Sequence, residues 1–308
     1  MSKKIFISYK HENKELVRRN LVPCLEAGGA EVIIDYKYFM AGQSVIGLMD
    51  QQQEQADISV LVLSPAYFQS PYCVHEMHKA LAKDPQFENG KVIFMFRESC
   101  TFPLLFSNNP PLWVDLTDDG NADQWDLLLN ACQVDLGCTA PAWLKTHTEL
   151  VRHLSRRESI NLVIKNDPKW RELLKHTQAE LKNNHGIQLG LLDMEAGTST
   201  TVTGFITQMI QACGGNISNL TSINALKKMD EYFARLPSPA FLVLYHFDII
   251  IKEKYYDIRF FGALRHLIME KQKLVLLIES RAHFHQLVPS DHLLSKLNLL
   301  NIELGGHL

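Results

Sequence analysis

The sequence predicts an α/β protein with two parallel sheets. The chain has 308 residues, about twice the usual length of one domain. In each half, short apolar runs alternate with amphipathic stretches, the pattern of strands and helices in a doubly wound sheet. Composition and periodicity lapse at Val134–Pro141. We therefore predict a first domain at 1–135, a linker and connecting helix at 136–155, and a second domain at 156–308.

In the first half, strands are predicted at Lys4–Ser8, Glu31–Asp35, Ile58–Leu63, Lys91–Phe96 and Leu112–Leu116. Helices are predicted at Glu12–Ala27, Ser44–Gln55, Pro71–Ala82 and Asp123–Cys132. The third strand is a run of apolar and β-branched residues, typical of a strand that is buried on both faces. Pro23 lies inside the first helix and removes one backbone hydrogen bond, so a bend is expected there.

The second half repeats the alternation after a helix at Trp143–Leu154. Its strands are predicted at Ser159–Ile164, Ile187–Leu192, Ala240–Tyr245, Lys273–Ile278 and Leu299–Leu304. Helical stretches separate these strands, which predicts a second α/β domain.

Composition excludes several classes of protein. The net charge of −3 gives no general attraction to nucleic acid or anionic lipid. No run reaches the roughly 20 apolar residues of a membrane helix, and the start of the chain lacks the features of a signal peptide, so a cytoplasmic protein is expected. The six cysteines have no metal-ligand spacing and are interpreted as reduced packing thiols, Cys73 included. No metal site is predicted.

Three sequence blocks in the first half follow one another at compatible spacing. They are FISY at Phe6–Tyr9, the strand ending in Asp35 with its loop to Ala41-Gly42-Gln43-Ser44, and SPAYFQSPYCVHE at Ser64–Glu76. This series resembles the Toll/interleukin-1 receptor (TIR) family. The resemblance implies a flavodoxin-like fold with a central parallel sheet over about 135 residues. Tyr72 stands where many members have Trp, which keeps an aromatic face with less contact area.

The resemblance also implies chemistry. Catalytic members of the family cleave the nicotinamide–ribose bond of NAD+, and their catalytic glutamate matches Glu76. Adaptor members use the fold only to assemble partners and often lack this glutamate. In the family the loop matching 36–44 inserts against a neighbouring protomer and helps to complete the site. Self-association through the TIR domain would then activate the enzyme.

The chemistry of the bond agrees with a single carboxylate. Nicotinamide leaves as a neutral molecule and needs no general acid, while an anion beside the ribose stabilises the developing cation. Ser8, Tyr9 and Tyr72 are predicted to line the pocket, since ligands of open parallel sheets bind at the carboxyl ends of the strands. Asp35 is either a ligand-binding residue or a cap of its own loop.

The simpler alternative for Glu76 is a solvated carboxylate in the first turns of a helix, where the helix dipole favours acids. His75 and His78 flank it without metal spacing and are interpreted as surface residues. Phe6 is expected to point into the core.

The second half resembles, more weakly, the AAA-like P-loop ATPase modules of signalling proteins. The first strand is followed by KNDPKW at Lys165–Trp170, which has no glycine and no Gly-Lys-Ser/Thr, so no phosphate cradle forms. The acidic pair that would hold magnesium is absent after Phe241–Leu244. We expect a degenerate domain for sensing or assembly. Asp193 and Glu195 are interpreted as solvated strand ends, and Arg152, Arg156 and Arg157 as a solvated helix face.

The leading hypothesis is a bacterial TIR effector in antiphage defence. It hydrolyses or cyclises NAD+, its substrate and not a resident cofactor, after a partner protein or ligand at the second domain triggers oligomerisation. The alternative is a non-enzymatic TIR adaptor that binds other TIR proteins through the loop at 36–44. A nucleotide-binding switch in the second domain is a third class, which the missing phosphate loop argues against.

Overall fold

The computed structural model describes residues 2–34, 45–100, 111–164, 169–195, 197–217, 220–252 and 256–304. The chain divides into two compact units, Met1–Leu144 and Lys145–Leu308. The division falls within the helix Ala140–Ser155, inside the segment predicted to connect the domains.

The first unit contains a parallel sheet with the strand order β2-β1-β3-β4-β5. Its strands are β1 (Lys4–Tyr9), β2 (Glu31–Ile33), β3 (Ile58–Leu63), β4 (Val92–Phe96) and β5 (Trp113–Asp115). The order is that of flavodoxin-like sheets, which confirms the predicted fold class. All six residues of β3 are buried, as expected for a central strand with both faces covered.

Most described α-helices of the first unit lie close to their predicted bounds, but the first predicted helix is divided and the short helix Pro65–Phe68 was not predicted. They are α1 (Lys14–Leu16), α2 (Val22–Ala27), α3 (Val45–Gln55), α4 (Pro65–Phe68), α5 (Pro71–Lys83), α6 (Ala122–Ala131) and the start of α7 (Ala140–Ser155). A 3₁₀ turn at His11–Asn13 precedes α1.

The conflict predicted at Pro23 has a local structural solution. Five residues of π-helix, Val17–Leu21, separate α1 from α2, and Pro23 lies in the first turn of α2. A proline has no N–H and its ring clashes with the carbonyl four residues earlier. Widening the preceding turn accommodates both effects, so the helix is divided where the sequence predicted a bend.

The second unit contains another parallel sheet, with the order β10-β6-β9-β8-β7. Its strands are β6 (Ile160–Ile164), β7 (Leu189–Asp193), β8 (Ala240–Tyr245), β9 (Leu274–Ser280) and β10 (Leu300–Leu304). All five strands were predicted, with ends that differ by at most two residues. The sheet confirms the predicted second α/β domain.

The described α-helices that follow α7 are α8 (Trp170–His185), α9 (Val202–Ala212), α10 (Ala225–Arg235), α11 (Asp248–Lys252), α12 (Ile258–Arg265) and α13 (Phe284–Leu287). Short 3₁₀ turns lie at Gly197–Thr200 and Leu293–Lys296, and π-helix at His266–Glu270. Phe205 and Phe260, in edge-to-face contact at 5.4 Å between ring centroids, lie in the apolar core of this unit.

Two composition-based expectations concern the whole chain. All six cysteines are free thiols, as predicted. Burial raises the pKa of Cys132 and of Cys213 to about 12, so both remain protonated and act as packing groups. Among the described helices, none combines the length and the apolar character that crossing a membrane requires.

Candidate functional site at the edge of the first sheet

Glu76 lies on the inward face of α5. Ser70 caps the helix by accepting the N–H of Cys73, and Pro71 occupies the first turn. The buried positions of this helix are Cys73, Glu76, Met77 and Ala80, a stripe with helical spacing. Only 3% of Glu76 is exposed, so its interpretation as a solvated helix carboxylate is wrong.

Two hydroxyl groups lie in line with the carboxylate. Ser8 Oγ donates to Glu76 Oε2 at 2.5 Å, and the hydroxyl of Tyr67 lies 2.7 Å from the same Ser8 Oγ. Ser8 and Tyr67 are fully buried. A buried carboxylate requires hydrogen-bond partners to offset its lost hydration, and Ser8 supplies one.

The position of Tyr67 follows from the local sequence. Ser64, at the end of β3, caps the short helix α4 by accepting the N–H of Tyr67, and Pro65 starts that helix. The Tyr67 ring packs edge-to-face against Phe68 with 5.7 Å between centroids. Burial raises the pKa of Tyr67 well above its usual value, and the nearby charge of Glu76 adds to the effect. The phenol is therefore a protonated donor at all physiological pH values.

These residues meet at the point where the strand order of the first sheet reverses. Ser8 is the penultimate residue of β1, and α4 with Tyr67 follows β3 directly. The strands β1 and β3 are neighbours, and their following connections leave in opposite directions, to β2 and to β4. In open parallel sheets, ligands bind in the crevice outside the carboxyl ends of the strands at such a switch point.

A further side chain fixes the backbone at residue 76. Gln53, buried near the end of α3, donates from Nε2 to the carbonyl oxygen of Glu76 at 2.8 Å. The ammonium of Lys83 in turn donates to the carbonyl oxygen of Gln53. Ser8 of β1 and Gln53 of α3 thus both bind Glu76 of α5 directly, and Tyr67 of α4 is linked to it through Ser8.

Comparison with known proteins identifies this unit. The family model described as TIR domain matches residues 5–129. Residues 5–129 form a TIR domain. The match covers both Ser8 and Glu76.

Curated relatives match over a short segment of the chain. The chain is 32% identical over 75 residues to Toll-like receptor 6 of Bos taurus and, over the same length, to Toll-like receptor 1 of Homo sapiens. Each match covers 24% of this chain and 10% of the receptor. The chain thus spans about a tenth of the length of these curated relatives.

Two solved structures are similar to parts of this chain. The TIR domain of the Toll-related receptor TRR-2 from Hydra magnipapillata is 20% identical with a TM-score of 0.37, covering 42% of this chain and 97% of that one. The Aeropyrum pernix ORC1 protein in complex with DNA is 11% identical with a TM-score of 0.42, covering 53% of this chain and 45% of that one.

The other residues predicted for the site of the TIR domain lie apart from the hydrogen-bonded group of Ser8, Tyr67 and Glu76. Tyr9 ends β1 with its side chain partly buried, and its carbonyl oxygen lies 3.7 Å from Cys73 Sγ. Tyr72, in the first turn of α5, is 54% exposed and presents its ring to solvent. Asp35 and the loop at 36–44 lie outside the described residues, so their predicted roles stay predictions.

The groups flanking Glu76 fulfil structural roles. Burial raises the pKa of Cys73, which keeps this thiol protonated and packed, as predicted. His75 and His78 are exposed, and His75 Nε2 lies 3.0 Å from Asp50 Oδ1. Lys79 binds the other oxygen of Asp50 at 2.8 Å and, together with His75, lowers the pKa of Asp50.

The carboxyl edge of the second sheet carries a different arrangement. His246 Nδ1 lies 2.9 Å from Asp193 Oδ1 and 3.9 Å from Glu195 Oε2. Burial opposes protonation of the ring, but the bond to Asp193 and the carboxylates of Glu279 and Glu195 outweigh it and raise the pKa of His246. In the part of the chain that the structure describes, this is the one set of three grouped metal-type ligands. Glu195 is exposed and Asp193 is partly exposed, and their arrangement with His246 is that of a solvent-accessible ion pair.

Sequence reasoning missed the roles of Tyr67 and Gln53. Tyr67 belongs to the motif at Ser64–Glu76. It follows Ser64 by three residues, which is the spacing of a helix N-cap and the residue whose N–H it accepts. The inward stripe at 73, 76, 77 and 80 was also visible, and it would have placed Glu76 inside the domain. Gln53 follows two other glutamines in an ordinary helix, and nothing in the sequence singles it out.

Proposed function

We propose that the TIR domain cleaves the nicotinamide–ribose bond of NAD+ with Glu76 as its catalytic carboxylate. The observation that carries the proposal is the position of this side chain. It is directed at the carboxyl end of β1, at the β1/β3 switch point, and it is held there by Ser8. A buried carboxylate at this edge supports a role in chemistry, because an acid that served solubility would lie in solvent.

The reaction requires only one catalytic carboxylate. The bond between ribose C1′ and the pyridinium nitrogen breaks, and its electron pair returns to the ring, so nicotinamide leaves neutral. Glu76 stabilises the positive charge that develops on the ribose. Water then adds to C1′ and loses a proton to give ADP-ribose, or an internal adenine nitrogen adds to give cyclic ADP-ribose.

The burial of Glu76 supports activation by self-association. At 3% exposure, the carboxylate of one chain is covered and a ribose must displace neighbouring groups to reach it. The family resemblance assigns completion of the site to the loop at 36–44 of a neighbouring protomer. We propose that assembly, triggered at the second domain by a partner protein or ligand, opens the site. Antiphage defence in a bacterial cytoplasm is the setting that this resemblance favours.

The test is release of nicotinamide from NAD+ across a series of protein concentrations. We expect the rate per molecule to rise with concentration, in step with the appearance of oligomers in light scattering. The variant Glu76→Gln keeps the size of the side chain and removes its charge, so it should assemble normally and release nicotinamide at least about 100-fold more slowly. Intact NAD+ at concentrations where the protein is fully assembled would refute the proposal.

A non-enzymatic adaptor is the second candidate function. The similarity to Toll-like receptors favours it, since a receptor passes on a signal by binding other proteins and needs no catalysis of its own. An adaptor would bind a second TIR protein equally well with glutamate or glutamine at position 76. It would lose binding when Tyr38 and Phe39 of the loop at 36–44 are replaced by serine. Pull-down with the Glu76→Gln and loop variants separates the two functions.

A further inference from the structure

We propose that Tyr67 and Ser8 are positioning residues that hold the Glu76 carboxylate through a directed chain of hydrogen bonds. This inference rests on the proposed NAD+ cleavage and names the groups that orient its catalytic residue. The chain consists of Tyr67, Ser8 and Glu76, with donor–acceptor distances of 2.7 and 2.5 Å. It links the carboxyl ends of β1 and β3 to the inward face of α5.

The direction of the chain follows from counting protons. A serine hydroxyl has one proton, and that of Ser8 is donated to Glu76 Oε2. An ionised carboxylate only accepts. The bond between Ser8 and Tyr67 must then be donated by the phenol, so the chain runs from Tyr67 through Ser8 to Glu76. Removal of the phenol oxygen would leave Ser8 Oγ without its donor.

Tyr67, at the donor end of the hydrogen-bond chain, is held rigidly. Tyr67 is fully buried and packs in an apolar cluster with Leu61, Met77 and Phe94. Its helix α4 is fixed by the Ser64 cap. Because the ring is held by packing on all sides, its hydroxyl has a fixed position in space. The hydrogen bonds therefore fix the orientation of the Glu76 carboxylate at the other end. The bond from Gln53 fixes the backbone of Glu76 in addition.

Such orientation matters for this reaction. The cation develops at one carbon of the ribose, and an anion stabilises it only if the carboxylate is already placed and does not reorient. Hydrogen bonds to the charged form also keep a carboxylate ionised towards lower pH. Loss of the chain should thus lower kcat, leave KM nearly unchanged, and move the acid limb of the pH–rate profile to higher pH.

The test compares Tyr67→Phe, Ser8→Ala and Ser8→Thr in the full chain, with nicotinamide release from NAD+ as the readout. We expect kcat to fall about 10-fold in Tyr67→Phe and further in Ser8→Ala, as for loss of a buried bond to a charged group. Ser8→Thr retains the hydroxyl and should recover most of the rate. The acid limb should rise in the first two variants and return in the third.

A matched control is Tyr256→Phe in the second unit. Tyr256 is buried, and its hydroxyl donates to the carbonyl oxygen of Ser199, so the variant also loses one buried phenol bond. Both phenylalanine variants should lower the melting temperature by similar amounts. Only Tyr67→Phe should change kcat and the pH profile.

These measurements distinguish failure of the positioning role from failure of the proposed function. If the wild-type protein releases nicotinamide and Tyr67→Phe keeps its kcat and acid limb while losing stability like Tyr256→Phe, the chain is structural and this inference is wrong. If the wild-type protein leaves NAD+ intact in its assembled state, the proposed function fails first and the positioning role fails with it.

Discussion

The two parallel sheets of this protein differ in whether the acidic residues at their carboxyl edges are buried or exposed to solvent. In the TIR domain, Glu76 is buried at the switch point between β1 and β3 and is bonded to a buried hydroxyl. In the second unit, Asp193 ends the edge strand β7 and pairs with His246 beside β8, where both side chains meet solvent. The switch point of that sheet lies between β6 and β9, away from the pair.

The difference separates a buried acid with specific hydrogen-bond partners from an acid in a solvent-accessible ion pair. Burial of a carboxylate costs free energy that its partners must offset, so its persistence inside a domain points to a function or to a specific structural role. An exposed ion pair costs little and contributes little. Two sheets of the same fold class therefore need not both carry an active site at their carboxyl edges.

The largest effect should come from neutralising one acid at each edge. Glu76→Gln should lower the rate of nicotinamide release by about 10² to 10³-fold, the usual loss when a group that stabilises a developing charge is removed. Asp193→Asn should leave that rate unchanged. Steady-state kinetics at a fixed, fully assembled protein concentration measures both. An equal loss in the two variants would show that the comparison between the edges is wrong.

A stability experiment extends the comparison to a second buried acid of the TIR domain. Asp84, 1% exposed, accepts backbone N–H groups from Glu88, Asn89 and Lys91. Asp84→Ala should lower the free energy of unfolding by about 2 to 3 kcal/mol, because three part-buried backbone donors lose a charged acceptor.

The matched control for that experiment is Asp193→Ala, which should cost less than about 1 kcal/mol as an exposed pair. Urea denaturation provides the measurement. The first unit holds Trp113, Trp125 and Trp143, three of the four tryptophans, so fluorescence follows mainly its unfolding, and circular dichroism follows both units. Similar losses in the two variants would contradict the account.

The smallest effect is a pH dependence in the second unit. The pKa of His246 is raised in the folded state, so its contribution to stability is complete below the unfolded value of about 6.5 and is lost as pH rises through the folded pKa. His246→Asn should cost about 0.5 kcal/mol near pH 6 and almost nothing near pH 9. Asparagine suits the left-handed backbone at this position, with φ of 55°. A cost that is equal at both pH values would exclude the ion pair as its source.

Much of this architecture was readable from the sequence. The strand Ile58–Leu63 was placed to the residue because a β-branched apolar run bounded by polar residues has few alternatives. The strand Ala240–Tyr245 was placed equally well for the same reason. Glu76 was identified from its motif. Its burial was not predicted, since a helix position alone does not say which face packs, although the spacing of Cys73, Met77 and Ala80 does.

Other features depend on contacts that no local pattern encodes. The bond from Tyr67 to Ser8 joins residues 59 positions apart, and the bond from Gln53 to Glu76 depends on how α3 packs against α5. The grouping of Asp193 with His246 required the strand order of the second sheet, which pairs β7 with β8. Motif and periodicity locate the elements, and tertiary packing decides which side chains meet.

The central claim is that the Glu76 carboxylate faces the ribose of bound NAD+. A crystal structure of the Glu76→Gln variant soaked with NAD+ tests it most directly, because the variant binds substrate without consuming it. The account predicts electron density for the dinucleotide at the β1/β3 edge of the TIR domain, with the nicotinamide-bearing ribose in contact with the side chain of residue 76. Density for NAD+ elsewhere, or with this ribose directed away from residue 76, would contradict it.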